Sequence, residues 1–545
     1  MDAYSISFTS PALRSTSRIY QDLNTCRPSA NTTTRAALPR PAATMDTLQK
    51  ARIHKPAEAT HVAVVGAGLA GLRCADVLMQ NGFKVTILEG RNRVGGRVFQ
   101  EKLPNGHMAD LGPNWIHGTV DNPINDIAKQ TGTITSSWGH NPHIFDEDGK
   151  LFDAKEAAQL SDIMWDIVLK AFQFSNKNCA ATDSKESLYD FFVSNSEIVI
   201  PNATTPEGQE EVLRKRKILL QMCEMWGAFV GEAIFSQSLK FFWLEECLEG
   251  ENLLCAGTYS KILDVVSKHA MEGAEIKYNT VVERICTRSN SRDKVRLATS
   301  NGTLEFDEVV LTTPLGWLKR NLSAFEPALP ARLSKAINSL GYGCLEKVYI
   351  TFPSAFWATP GKDGRKLEGF GQWISPSYAA DTNPSKWNQE VVELASLPDG
   401  TNHPTLLFYA FGDESKHITS TLLAPSTQDR KNAFVYDFFR PYFSRLPNYD
   451  ASKPECRPTG FLHTDWLHDD LAGNGSYSNF QTGLDEGDKD IEAMREGVPA
   501  RGLWLAGEHT APFVASGTST GAYWSGELVA KRIAEQYGKE PRRKN

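Results

Sequence analysis

Gly66, Gly68 and Gly71, spaced GxGxxG, follow a β-branched run of Val62, Val64 and Val65 and precede Leu69, Leu72, Ala75 and Leu78 or Met79 at helical spacing. The order is strand, tight turn, helix. Gly66 permits the turn, Gly68 admits a pyrophosphate close to the backbone, and Gly71 lets the helix, opened by Leu69 and Ala70, pack near the strand with its first N–H groups facing phosphate. Asn81 and Gly82 stop that helix, and Lys84 to Leu88 form a second strand ending in Glu89. An acid about 20 residues past the glycines accepts hydrogen bonds from an adenosine ribose and repels a 2′-phosphate. A lone glycine triplet is often only a turn; here strand, helix and acid agree.

Gly90, Arg91, Arg93 and then Gly95-Gly96-Arg97 extend the pattern. Glycines let a second loop approach the ligand, and the Arg97 guanidinium can neutralise pyrophosphate charge with its fork of donors. An arginine cluster is ordinarily a solvated face, but one directly behind a ribose-binding strand suits phosphate. GxGxxG, Glu89 and GGR together resemble the two-dinucleotide-binding-domain flavoproteins, in which these motifs hold FAD. The resemblance implies an α/β chain of two interleaved domains. A Rossmann-like FAD-binding domain would comprise 60–135, 251–320 and 465–540, and an α+β substrate domain with a mixed sheet would comprise 136–250 and 321–464. Residues 1–59, rich in Ser, Thr, Pro and Ala, read as a disordered tail.

At 545 residues the chain can bury more than one core. Its formal net charge of −7 disfavours a general nucleic-acid role and is compatible with a cationic substrate. No long charge-free apolar run suggests a membrane span. Nine cysteines, scattered with no CxxC pair, argue against a zinc site or a disulfide scaffold, so no metal is expected. A reducing, cytoplasmic setting fits best. The arginines and hydroxyls of 1–59 leave an organelle transit segment open, and Met45 is an alternative start.

In Asn105 to Gly132, Gly112, Pro113 and Gly118 bracket Asn114, Trp115, Ile116 and His117 in a tight loop ahead of an Asn122-Pro123 helix start. The segment resembles the WIHG loop of flavin-dependent polyamine oxidases, which implies flavin contacts from Gly112 to Trp115 and a substrate-facing His117. A loop histidine taken alone is more often a structural hydrogen-bonder. Asp153 to about Leu248 is helix-like, broken at Pro201 to Pro206. Ile276 to Ile285, Val295 to Ala298 and Thr303 to Thr312 read as strands, with Val282 the adenine contact that the resemblance implies.

Cys344 to Pro353 reads as an alternating strand whose Lys347 would by itself be an unremarkable edge lysine. The amine oxidase family places a lysine at the matching position near flavin N5, where a cation assists reoxidation by oxygen. Further strands, Val391 to Leu397 and Thr405 to Phe411, precede a helix through Phe434, Val435 and Phe438. Trp466 to Gly483 contains GNGSYSNFQTG, resembling the family's penultimate signature. It implies a cofactor contact at Trp466 and an aromatic cage wall at Tyr477, with Phe480 as packing.

The last segment has a strand, Leu503 to Leu505, ending at Gly507-Glu508, then a helix start at Thr518 to Ala522. In the family, counterparts of Gly507, Glu508, Ser519, Thr520 and Ala522 contact the cofactor. Many members carry Tyr where Thr518 stands; spermine and acetylpolyamine oxidases and histone demethylases have a small hydroxyl residue. The segment holds no Cys, so FAD should be non-covalent.

The resemblance implies an FAD-dependent polyamine oxidase acting on a small aliphatic amine with O2, in which Lys347, His117, Tyr477 and Thr518 serve the chemistry. Hydride transfer to flavin, imine hydrolysis and release of hydrogen peroxide are expected, with the WIHG loop inclining toward back-conversion rather than terminal catabolism. A histone lysine demethylase is disfavoured by the short tail and the lack of a coiled-coil insertion. An amino-acid oxidase would need an arginine for the carboxylate, and a redox-inactive flavin scaffold is the rival of another class.

Overall fold

The valine-rich run becomes the strand His61–Val65, hydrogen-bonded in parallel to Lys84–Leu88 on one side and to Glu308–Leu311 on the other. In the computed structural model of the chain, which describes residues 60–138, 143–290 and 293–539, these strands lie in a five-stranded parallel sheet. Its order is Leu503–Leu505, Glu308–Leu311, His61–Val65, Lys84–Leu88, Glu275–Lys277. Three distant stretches of sequence thus share one sheet, and parallel pairing puts Gly66, Glu89 and Gly507 at the same carboxyl edge. The tail 1–59 lies outside the described residues.

Side chains from the sheet are buried on both faces, as parallel sheets require. Val62 and Val64 pack with the helices Leu69–Gln80, Ser260–Gly273 and Ser519–Gln536, while Ala63 and Val65 join a second core. The first and last helices touch closely: a Cβ on Gly526 would stand 2.1 Å from the Ala70 carbonyl oxygen. Arg73 Nε donates to Glu527 at 2.9 Å across the same seam. Opposite ends of the sequence are therefore held together beside the glycine turn.

The runs 276–285 and 303–312 each divide between two sheets. Asn279, at φ +50, turns the chain out of the parallel sheet, and Val282–Cys286 enters a four-stranded sheet with Val295–Thr299, Gly302–Phe306 and Phe325–Glu326. Asp307 makes the return, its carboxylate accepting from His61 N at 2.8 Å. The helix Ala331–Ser339 packs Leu333, Ala336 and Ile337 into the core that holds Val309, Leu503 and Ile491. Residues just past 320 therefore side with the nucleotide-binding half rather than the substrate half.

A second large sheet runs Gly460–His463, Leu345–Thr351, Thr405–Phe411, Gln389–Glu393, Phe370–Trp373, His143–Phe145. It is antiparallel except for the last pair, hence mixed. One face packs Phe408 on Phe438 and Phe439 of the helix Gln428–Phe443. The other presents Tyr349, Leu407 and Tyr409 to Leu111, Trp115 and Trp466 of the nucleotide-binding half. The Lys347 strand is internal, not an edge, and buried on both faces. Helices Ala154–Asn178, Leu188–Val199 and Pro206–Cys223 form the insertion, broken at 201–206 as expected. Past Cys223 helical order gives way to short turns, and Gly231 at φ +72 ends the four-residue helix Gly227–Val230.

Candidate active site

At the glycine turn Gly66 adopts φ +104, and a Cβ on Gly71 would lie 2.0 Å from the Gly66 carbonyl oxygen, so only glycine fits. Gly68 differs. Its missing Cβ would meet nothing closer than 4.0 Å, and it caps the helix with no side-chain hydrogen bond, leaving the first-turn N–H groups to a ligand. Glu89, 6% exposed, accepts from Ala67 N at 2.7 Å and Arg91 N at 2.8 Å. Arg91 is tied to Asp469 at 2.6 Å. Thr280 N donates to the Glu89 carbonyl at 2.8 Å, which brings Val282 to this strand end. A Cβ on Gly90 would strike Leu471 at 2.9 Å.

Gly95 N donates to Ala67 O at 2.8 Å and pairs the second glycine loop, with Gly96, against Gly68. Arg97 reaches the C-terminal segment: its Nη1 lies 3.3 Å from Glu508 Oε1 and 3.3 Å from the Tyr342 hydroxyl. Glu508, 3% exposed, also accepts from Ser478 N at 3.3 Å. Beside it His509 is 1% exposed, and neither ring nitrogen has a partner among the described residues. A turn with open N–H groups, a strand-end carboxylate, convergent arginines and an unpartnered buried imidazole fit a dinucleotide that carries both phosphate and heterocycle.

The WIHG loop is fixed at both ends. The Asn114 amide and the Trp115 indole donate to the Tyr409 hydroxyl at 2.8 and 3.0 Å, and Trp115 stacks on Phe370 at 5.9 Å. The Tyr259 hydroxyl donates to Trp115 O at 2.6 Å and lies 3.0 Å from Ser519 Oγ. Asn122, fully buried, caps the helix Pro123–Thr131 and accepts from Thr520 Oγ1 at 2.9 Å. This loop therefore sits on the start of the helix Ser519–Gln536, which contains Ala522. Burial lowers the pKa of His117, whose neighbour Asn252 opposes the shift, so the ring is neutral at physiological pH.

Lys347, 4% exposed, donates from Nζ to the carbonyl oxygens of Asp110 at 3.1 Å and Gly112 at 2.5 Å, the latter next to Pro113. Trp466 Nε1 donates to Leu111 O at 3.2 Å in the same loop. The Tyr477 hydroxyl donates to Phe229 O at 2.7 Å. A Cβ on Gly517 would lie 3.6 Å from the Tyr477 ring, so the turn that leads into Thr518 passes beside that ring. Thr518 caps its helix, accepting from Gly521 N at 3.0 Å. Phe480 is packed in the core. Asp110, Tyr259 and Tyr409, which the sequence reading passed over, are the groups that join these parts. Of the three, only Asp110 carried a signal in the sequence, lying between Gly95-Gly96-Arg97 and Gly112.

Residues 69–534 match the family model described as flavin containing amine oxidoreductase. The chain is 28% identical to Polyamine oxidase 2 of Arabidopsis thaliana, over 88% of this chain and 89% of that one. It is 26% identical to Lysine-specific histone demethylase 2 of Homo sapiens, over 87% of this chain and 53% of that one. Among solved structures, cyclohexylamine oxidase from Brevibacterium oxydans superposes with a TM-score of 0.63 at 18% identity, covering 88% of this chain and all of that one. The chain belongs to the flavin-containing amine oxidoreductases, and its cofactor is FAD. Among the described residues no helix is long and apolar enough to cross a membrane, and no group of three His, Cys, Asp or Glu side chains is placed to hold a metal.

Proposed function

We propose that this chain oxidises a secondary amine of a polyamine. FAD, when bound, would supply the hydride acceptor and the route of the electrons to O2, giving hydrogen peroxide, and the imine product would hydrolyse to an aldehyde and an amine. The observation that carries the reading is the meeting of Lys347 with the Asp110–Gly112 loop, where the two glycine motifs and the mixed sheet converge. At that junction the protein need only bind, orient and keep water out.

Tyr477, its hydroxyl bonded to the Phe229 carbonyl and its ring beside Gly517, gives one aromatic wall against which an aliphatic chain lies. A threonine at 518 leaves room that a second aromatic would fill, which suits a secondary amine flanked by carbon on both sides. The neutral His117 ring keeps a lone pair to accept an N–H from a neighbouring substrate nitrogen. Lys347 provides a cation or a proton donor on the sheet side, fixed by the two carbonyls rather than by a carboxylate. Gly66 to Gly71, Glu89, Gly90, Arg91, Gly96, Arg97, Val282, Trp466, Gly507, Glu508 and Ser519 to Ala522 would hold the cofactor.

Because an ammonium has no free lone pair, the reacting nitrogen must be deprotonated, and the rate should climb toward alkaline pH. The deciding test is anaerobic titration with spermine, spermidine, acetylspermine and a dimethyl-lysine histone peptide, followed by product identification. Bleaching of the flavin by polyamines, with aldehyde and amine released, is expected. Bleaching by the peptide alone would move the chain to the demethylase reading.

A further inference from the structure

Four side chains lie in register across four strands of the mixed sheet. Lys347 faces Tyr409, Tyr409 faces Glu390, and Glu390 faces Gln372. Residues directly opposite one another share a face, so this row runs outward from the lysine along the side that carries the WIHG loop. Two strand spacings separate the Lys347 and Glu390 backbones, roughly 10 Å. Tyr409 is already engaged by Asn114 and Trp115, and Phe370, two residues before Gln372 and hence on the same face, stacks on Trp115.

Glu390 is 6% exposed, and its carboxylate accepts from Gln372 Nε2 at 2.8 Å. Among the described residues no cation stands within ion-pair distance of it. A buried carboxylate without a counter-ion is costly, and burial pushes its pKa up to about 7. A second buried pair, Glu414 with Gln389, lies on the opposite face of the sheet, away from the loop. It serves as an internal control.

We propose that Glu390, oriented by Gln372, is the counter-ion for a second, non-reacting ammonium of the substrate, and thereby sets a preference for di- and polyamines over monoamines. The inference rests on the amine-oxidase reading above and deepens it. An aliphatic chain whose reacting nitrogen lies near Lys347 would run along the Tyr409 row and place its distal nitrogen over Glu390, restoring the missing charge partner.

The test compares kcat/KM for spermidine with that for N-butylpropylamine, a secondary amine without distal nitrogens, in holoenzyme. Glu390→Gln should lower the spermidine value by about 30-fold or more, chiefly through KM, and leave the monoamine within about twofold. Gln372→Leu should shift the ratio the same way by less, and Glu414→Gln should not shift it. Retained flavin absorbance after gel filtration establishes folding. Should neither site variant retain flavin, inhibition of the wild type decides: 1,4-diaminobutane competing no better than butylamine overturns the proposal. An unchanged ratio in Glu390→Gln overturns it while leaving polyamine oxidation intact. A wild type bleached by neither amine overturns the underlying reading together with this one.

Discussion

Lys347 Nζ lies 3.1 Å from the main-chain oxygen of Asp110, while the Asp110 carboxylate turns away to accept from Tyr259 N at 3.1 Å and Gln100 at 2.6 Å. Burial lowers the lysine pKa and raises that of the aspartate, so each group is biased toward its neutral form. In the proposed site, an amine held by carbonyls with its proton easily gained or given up suits delivery of a proton as oxygen is reduced. Lys347→Met is expected to slow reoxidation of reduced enzyme by about 100-fold, with anaerobic bleaching slowed by less than about tenfold. Stopped-flow traces of the two half-reactions measure this separately, and a wild-type reoxidation rate would remove Lys347 from the oxygen step.

His509 gives the enzyme a pH-dependent stability. Burial lowers its imidazole from 6.5 to about 4, opposed weakly by Glu508. Between those values the unfolded chain binds a proton that the folded chain refuses. Stability from this group is therefore complete above about pH 6.5 and falls as the pH drops toward 4, by up to about 3 kcal/mol. The Tm of wild type should fall further from pH 7 to pH 5 than that of His509→Phe. A constant gap between the two curves would contradict the assignment.

A buried ion pair pins the three-part parallel sheet. Arg288 Nη2 donates to Glu308 at 2.8 Å, and Glu308 also accepts from Trp504 Nε1 and the Tyr537 hydroxyl, each at 2.8 Å. Both charged side chains are almost fully buried, at 3% and 0% exposure. Arg288→Met leaves the carboxylate without its cation and should cost about 3–5 kcal/mol. Denaturant midpoints measure it. Arg288 touches no part of the proposed site, so the anaerobic bleaching rate of surviving folded protein should be unchanged.

Much of this was legible from local chemistry. The first strand, the glycine turn, the helix and the second strand each have a strong periodic or steric signature, and all four occur where the residues place them. Runs in which two strands abut read as one. Nothing in the hydrophobic pattern around Asn279 or Asp307 announces that the chain changes sheets, because apolar alternation continues through the switch. By its strand pattern alone Lys347 would be an edge residue, because such a pattern carries no record of its neighbours, and only the family resemblance singled it out. Only the pairing with Gly460–His463 on one side and Thr405–Phe411 on the other buries it. Glu390 was invisible for the same reason, since its importance lies in cross-strand register with Tyr409 and Gln372.

Asn122 is the hinge pin between the WIHG loop and the C-terminal helix. Its amide nitrogen donates to Gly118 O at 2.8 Å and His117 O at 3.2 Å, and its oxygen accepts from Ile124 N at 3.0 Å and Thr520 Oγ1 at 2.9 Å. Asn122→Ala removes a helix cap and strands several buried partners, for an expected loss of about 2–3 kcal/mol. Thr520→Val removes one bond and should cost about 1 kcal/mol. Since the same residue holds the His117 carbonyl, Asn122→Ala should also raise KM for the amine several-fold and speed flavin release, whereas Thr520→Val should leave KM nearly unchanged. Thermal melts, flavin-release rates and steady-state kinetics on the two variants separate loss of the cap from loss of loop position. Equal KM in both would show that the loop is positioned by the Tyr259 and Tyr409 hydroxyls instead.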